Sequence, residues 1–140
     1  MNNLELASAY LEEAKRRIET ARRALDEEAV GYCIRQSQEA VELSLKGALR
    51  FVGIEPPKWH DVGIILLERR ARFPEWFQHE LEGIASTSRW LRQEREPSMY
   101  GDDDLGLPPA RIYTKRYAEK AFKEAQIVMD LVSRLVEAPP

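Results

Sequence analysis

The chain has 140 residues, 44% of them hydrophobic and 32% charged, which suits one globular domain over residues 1–140 and argues against a second. A formal charge of -3 and a pI near 5.5 argue against a general nucleic-acid coat protein, because affinity for phosphate needs a large excess of Lys and Arg. The single cysteine, Cys33, excludes an internal disulfide and a thiolate metal cluster, so it is expected to pack in the core of a protein from a reducing compartment.

The chain opens as MNNLELASAYLEEAKRRIET. It is amphipathic and charged from the start, without a signal-peptide apolar block, and no apolar run has membrane length. A soluble, cytoplasmic protein that does not use a membrane is expected. In this first segment Leu4, Ala7, Leu11, Ala14, Ile18, Ala21 and Leu25 alternate three- and four-residue steps, the seam of a long helix packed nearly parallel to its neighbours. Glu12 with Arg16 and Glu19 with Arg23 are expected to pair on its outer face, and the helix should end between Asp26 and Ala29.

The spacing predicts a second helix over Val30–Val52, with a stripe of Cys33, Ser37, Ala40, Val41, Ser44, Leu45, Ala48 and Val52 small enough for a close neighbour. Gly53 supplies its stop, and Pro56-Pro57 forces an extended linker. A brief third helix is predicted to start at Asp61, a helix-capping residue, and to end before Pro74. The fourth is predicted over Glu75–Arg95, with a stripe of Phe77, Leu81, Ile84, Ser88 and Leu91 whose next step falls on Arg95, an arginine where a core residue would stand. Pro97 is expected to end this helix. The loop that follows, SMYGDDDLGLPPA, has turn chemistry. A last long helix is marked by Thr114, Tyr117, Ala121, Ala125, Val128, Val132 and Leu135, and Pro139-Pro140 closes the chain. No segment alternates at period two, and there is no internal repeat. The fold class is therefore all-α: an up-and-down four-helix bundle with one additional short helix.

Arg89, Arg92 and Arg95 recur every three residues and form a slowly rotating ridge that could hold phosphate oxygens. They could equally offset the dipole at a helix end and pair with Glu94, Glu96 or the aspartates beyond. Asp102, Asp103 and Asp104 could hold a hard cation, but adjacent aspartates without a distant partner carboxylate read better as a solvated turn. His60 and His79 have no metal-like spacing; His60-Asp61 reads as a helix cap, and His79 as a surface residue near Trp76. Phosphate loops, nucleophile elbows and zinc-protease helices have no counterpart here, so no metal and no cofactor is expected.

The stretch YCIRQSQEAVELSLKGALRFVGIEPPKWHDV resembles the HEPN domain family, in a Gln-x-Ala-x-Glu-x-x-x-Lys run at Gln38, Ala40, Glu42 and Lys46, a linker with Pro56 and Pro57, and then His60 and Asp61. The order of long and short helices resembles the family as well. The resemblance implies a homodimer with a cleft at its interface, and a nucleotidyltransferase partner encoded beside it as a toxin-antitoxin type pair. In active members it implies a metal-independent ribonuclease whose arginine is followed, after four to six residues, by a histidine near the end of the fourth helix. Arg95 fills the arginine place, but Tyr100 stands where the histidine would. A tyrosine, with a pKa of about 10, is a poor general base at neutral pH. Arg72 stands before His79 at a formally matching distance, but it precedes Pro74 and the fourth helix. Some family members have a tyrosine just after the histidine that the partner modifies with adenylate; Tyr100 is the candidate acceptor, although that place falls on Asp102. Packing of the Tyr100 ring against the bundle end is the alternative.

The expected site is thus a nucleotide- or RNA-binding cleft of Arg89, Arg92, Arg95, Tyr100, Asp102 and His60, with Arg95 and Tyr100 the catalytic candidates. A surviving ribonuclease and a non-catalytic helical adaptor are the other readings.

Overall fold

The computed structural model describes residues 2–58 and 61–137. Helix α1 (Asn3–Asp26) starts where the Asn2 side chain accepts the Glu5 backbone N–H at 2.8 Å, with that glutamate in the positive first turn. Its seam is buried from Ala7 to Ala24, whereas Leu4 stays exposed. On its outer face Arg16 and Arg17 both pair with Glu13, so the expected Glu12–Arg16 pair does not form: Glu13 lies within reach of both arginines and takes them instead. Helix α2 (Val30–Phe51) runs back antiparallel, with Arg17 opposite Glu39 and Ala7 opposite Gly47.

Asp61 caps α3 (Val62–Glu68) by accepting the Gly63 N–H at 3.0 Å, and a 3-10 turn over Arg70–Arg72 follows. Then come α4 (Glu75–Gln78), α5 (Leu81–Gln93), α6 (Arg95–Tyr100), α7 (Pro109–Ile112) and α8 (Lys115–Glu137). The Thr114 hydroxyl accepts the Tyr117 N–H at 3.1 Å and caps α8. Contacts Thr87–Glu124 and Trp90–Tyr117 set α5 antiparallel to α8. Helices α1, α2, α5 and α8 form the bundle, α3 lies against α5, and the described residues contain no strand, only an isolated bridge between Asp102 and Leu107. No helix among them is long and apolar enough to cross a membrane.

The fourth predicted helix is in fact three. Between α4 and α5 the Glu80 N–H bonds to the Phe77 carbonyl, one residue short of the α-helical partner, so one tightened turn bends the helix while Phe77, Leu81 and Ile84 all stay buried. The break between α5 and α6 has a sharper cause. Proline has no N–H to give to residue 93, and its ring collides with that carbonyl in a continuous helix. The helix therefore breaks a turn before Pro97, at Glu94, whose N–H bonds Leu91 at 3.0 Å. Pro97 then sits in the first turn of α6, where its missing N–H costs nothing. Arg95 begins α6 instead of ending the apolar stripe, and the two ends of the predicted loop are helical.

The core runs from Leu11 and Ile34 through Leu45, Phe77 and Leu91 to Val132, with Cys33 fully buried among them. Each such large side chain contributes about 1.5–3 kcal/mol on burial. Helix α2 is buried on nearly every side. Its crossing with α6 is set by Gly31, where a Cβ would lie 2.4 Å from the Ser98 carbonyl oxygen and 2.8 Å from the Pro109 Cβ. Gly31→Ala should therefore cost about 1–3 kcal/mol by overpacking. Gly83→Ala, inside α5 with open space around it, should gain about 0.5–1 kcal/mol. Urea unfolding of the two variants checks this; equal midpoints would show that the α2–α6 approach is not tight.

Candidate functional site

The site grows from Glu94, the residue at the break. The Tyr113 hydroxyl donates to the Glu94 carboxylate. The ring of Tyr113, almost fully buried, lies 5.1 Å from that of Tyr117, which lies 5.5 Å from Trp90. Trp90 Nε1 in turn donates to the Tyr117 hydroxyl at 2.9 Å. Tyr113 between α7 and α8, Tyr117 in the first turn of α8 and a tryptophan of α5 therefore hold the α5–α6 junction.

Beyond the junction, Arg95 points to α2. Its guanidinium is 3.6 Å from the Glu42 carboxylate, with its side chain 45% exposed, an ion pair worth at most about 1 kcal/mol at that exposure. Arg35 Nη1 donates to the Arg95 carbonyl at 3.4 Å, and the Ser98 hydroxyl donates to the same oxygen at 3.1 Å. Arg35 is itself held by Glu39 at 3.2 Å, which also meets Arg17 of α1 at 3.7 Å. Cations and carboxylates so alternate across α1, α2 and α6. Beneath them Gln38, 3% exposed, has a side-chain oxygen without a hydrogen-bond partner among the described residues, as does the Ser37 hydroxyl.

The sequence-predicted residues do not gather in one cleft. Arg95 meets Glu42, whereas Arg89 lines a groove of about 410 Å³ between α3 and α5, together with Trp90 and Gln93. The expected ridge is split by the break at Glu94. Arg92 is exposed. Tyr100 is 66% exposed and five residues beyond Arg95, which turns it about 140° around α6. The expected packing of its ring on the bundle end does not occur. It borders a separate groove of about 640 Å³ walled by Glu94, Glu96, Tyr113 and the three aspartates. Asp102 is a turn residue here: its side chain accepts the Leu105 N–H at 3.1 Å, and its backbone exchanges two hydrogen bonds with Leu107. Gly101, at φ 77°, starts this turn, and a Cβ on it would meet the Leu107 carbonyl. No group of His, Cys, Asp or Glu that could hold a metal occurs among the described residues. His79 is a surface residue beside Glu75 and Trp76, as expected. His60 lies outside the described residues.

Sequence reasoning misses Glu42 as the partner of Arg95, because it reads that glutamate only within the Gln-x-Ala-x-Glu-x-x-x-Lys run of its own helix. Arg35 and Glu39 are legible as an i,i+4 pair. Nothing in the spacing announces that Glu94 bonds Tyr113.

These features define a class: small all-helical bundles in which a broken penultimate helix brings an arginine onto a polar strip of the second helix. The chain belongs to the HEPN domain family, whose model matches residues 7–135. It is similar to the crystal structure of TT1696 from Thermus thermophilus, at 26% identity and a TM-score of 0.74, over 96% of this chain and 98% of that one. It is similar also to the crystal structure of ST0689, an archaeal HEPN homologue, at 25% identity and a TM-score of 0.72, over 93% of this chain and 97% of that one. No curated protein matches.

Burial first, and then the hydrogen bond to Glu94, push the Tyr113 pKa well above its usual 10.0. A group whose pKa is raised by folding adds stability that is complete below its unfolded value and is lost as pH climbs through the folded one. The urea midpoint should therefore fall as pH rises past about 10, and Tyr113→Phe should flatten that fall. An unchanged slope in the variant would mean that the junction is not held through this hydroxyl.

Proposed function

We propose that this protein binds RNA through the strip where α6 crosses α2, with Arg95 as its phosphate contact, and that it works with a nucleotidyltransferase partner as one half of a toxin-antitoxin type pair. The observation that carries the reading is the Arg95 guanidinium, poised by Glu42 and still half open to solvent. Its fork of donors can take phosphate oxygens in pairs while one carboxylate fixes its direction. Arg35, buried to the point that only 15% of its side chain is exposed, adds positive charge behind it. Membership of the HEPN family supports the class of ligand.

Proton transfer is what the strip lacks. Tyr100 is turned away from Arg95, so it cannot stand in for the missing histidine on the same face, and binding is better supported than cleavage. A second copy of the chain suits the exposed Tyr32 and Met99, which lie with Gly31, Ser98 and Pro109 around a largely apolar hollow of about 460 Å³ beside Arg35. Packing there would bring two arginine strips to the edges of one cleft. Arg95→Ala should weaken binding of single-stranded RNA about tenfold or more, with unfolding unchanged and chelator without effect. Met99→Asp should convert a dimer to a monomer in sedimentation velocity. RNA affinity equal to wild type in Arg95→Ala would remove the reading.

Tyr100 supports a second role. It is the most exposed tyrosine, its hydroxyl has no hydrogen-bond partner among the described residues, and it is therefore open to another enzyme. Its hydroxyl oxygen would attack the α-phosphorus of ATP in the partner's site, forming a phenolic P–O bond as the bond to pyrophosphate breaks and a partner base takes the proton. After incubation with the nucleotidyltransferase and ATP, the intact mass should rise by one adenylate in the wild type and stay unchanged in Tyr100→Phe. A rise in both would place the modification elsewhere.

A further inference from the structure

The groove between α3 and α5 takes no part in the arginine strip, and its chemistry differs from that of the acidic hollow at Tyr100. Its α5 wall is one helical face: Glu82, Ser86, Arg89, Trp90 and Gln93, opposite Ile64 and Leu67 of α3. Its volume of about 410 Å³ is that of a small-ligand site, with an apolar floor and a few polar groups at the edges.

Three features tell what would fit. Trp90 is locked before any ligand arrives, because its Nε1–H is committed to the Tyr117 hydroxyl at 2.9 Å and Lys120 Nζ sits 4.9 Å from its ring centre. An aromatic surface that is already ordered loses no side-chain freedom when a planar group stacks on it. Arg89 differs from Arg17, Arg35 and Arg95, for it has no carboxylate within ion-pair distance among the described residues. Two carboxylates line the groove without pairing with Arg89: Asp61 caps α3 through the Gly63 N–H at 3.0 Å, and Glu82 projects into solvent 3.7 Å from Arg70. A flat ring, a guanidinium with open donors, and the Ser86 and Gln93 side chains for edge contacts match one nucleotide of a single strand.

We infer that the α3–α5 groove is a second subsite for single-stranded RNA, in which a base lies against Trp90 and its phosphate meets Arg89. The inference rests on the RNA-binding reading of the α2–α6 strip and extends it. Arg89 of α5 and Arg95 of α6 are six residues apart in the chain, so whatever the bend at Glu94 their Cα atoms lie no more than about 22 Å from each other, with Arg92 exposed between them. One strand can therefore run from the strip to the groove, so the ligand is an oligomer and not a mononucleotide.

The test is fluorescence anisotropy with labelled oligouridine, as a dinucleotide and as a strand of roughly ten nucleotides, a length within single-strand binding footprints. The wild type should prefer the longer probe about tenfold or more. Arg89→Ala and Gln93→Ala, both exposed changes at the edge of the groove, should each lose a large part of that preference and leave the dinucleotide unaffected. Arg95→Ala should weaken both probes. If Arg95→Ala weakens both while the other two variants bind like wild type, the groove is not a subsite and the strip stands. If Arg95→Ala binds both as well as wild type, the strip reading fails and the groove falls with it.

Discussion

One missing N–H organises this molecule. Pro97 cannot donate to residue 93 and cannot let that carbonyl occupy the space of its ring, so the helix that began at Leu81 has to stop at Glu94 and start again. Without the break, Arg95 would continue the line of Leu81, Ile84, Ser88 and Leu91 into the apolar interior, where an unpaired guanidinium is costly. With it, the chain turns and the same arginine reaches a carboxylate on α2. The break is in turn held from outside by the Glu94–Tyr113 bond and the rings stacked behind it. A local steric rule and a distant hydrogen bond thus agree on one position.

Helix α2 makes the other half of the arrangement possible. It is enclosed by α1, α8, α6, α5 and α3, and it can be so because small residues occupy its crossings: Gly31 against α6, Cys33 against α8, Gly47 against α1. Its charged residues, from Arg35 to Arg50, are then confined to one strip. Glu39 and Glu42 lie there, partly exposed, and each engages an arginine from a neighbouring helix. Such pairs add little to stability at this exposure. Their effect is orientation, which is what a bidentate phosphate contact needs.

Much of the fold is legible in the sequence because it is written at short range. Seams of three- and four-residue steps announce α1, α2 and α8, Asp61 announces the start of α3, and the absence of period-two alternation announces an all-α chain. The HEPN resemblance is legible because its residues are close in sequence, on α2 and in the linker up to Asp61. The fourth helix misleads in one particular: Pro97 reads as the point of termination, although its steric reach extends back a full turn. That places Arg95 in the wrong helix and draws Arg89, Arg92 and Arg95 into one ridge. The Glu42–Arg95 and Glu94–Tyr113 contacts are not legible at all, since each joins distant segments of the chain whose approach depends on tertiary packing. The position of Tyr100 along the chain is plain, but its angle from Arg95 follows only from α6 being helical.

The central claim is that Arg95, aimed by Glu42, is the group that meets phosphate. It is tested most directly by side-chain NMR of the arginine Nε–H groups, with the Arg95 signal identified by its absence in Arg95→Lys, as single-stranded RNA is added. The account predicts that the Arg95 Nε–H shifts and exchanges more slowly with water, while that of Arg16, on the outer face of α1, stays where it was. An Arg95 signal that does not move at saturating RNA would contradict it.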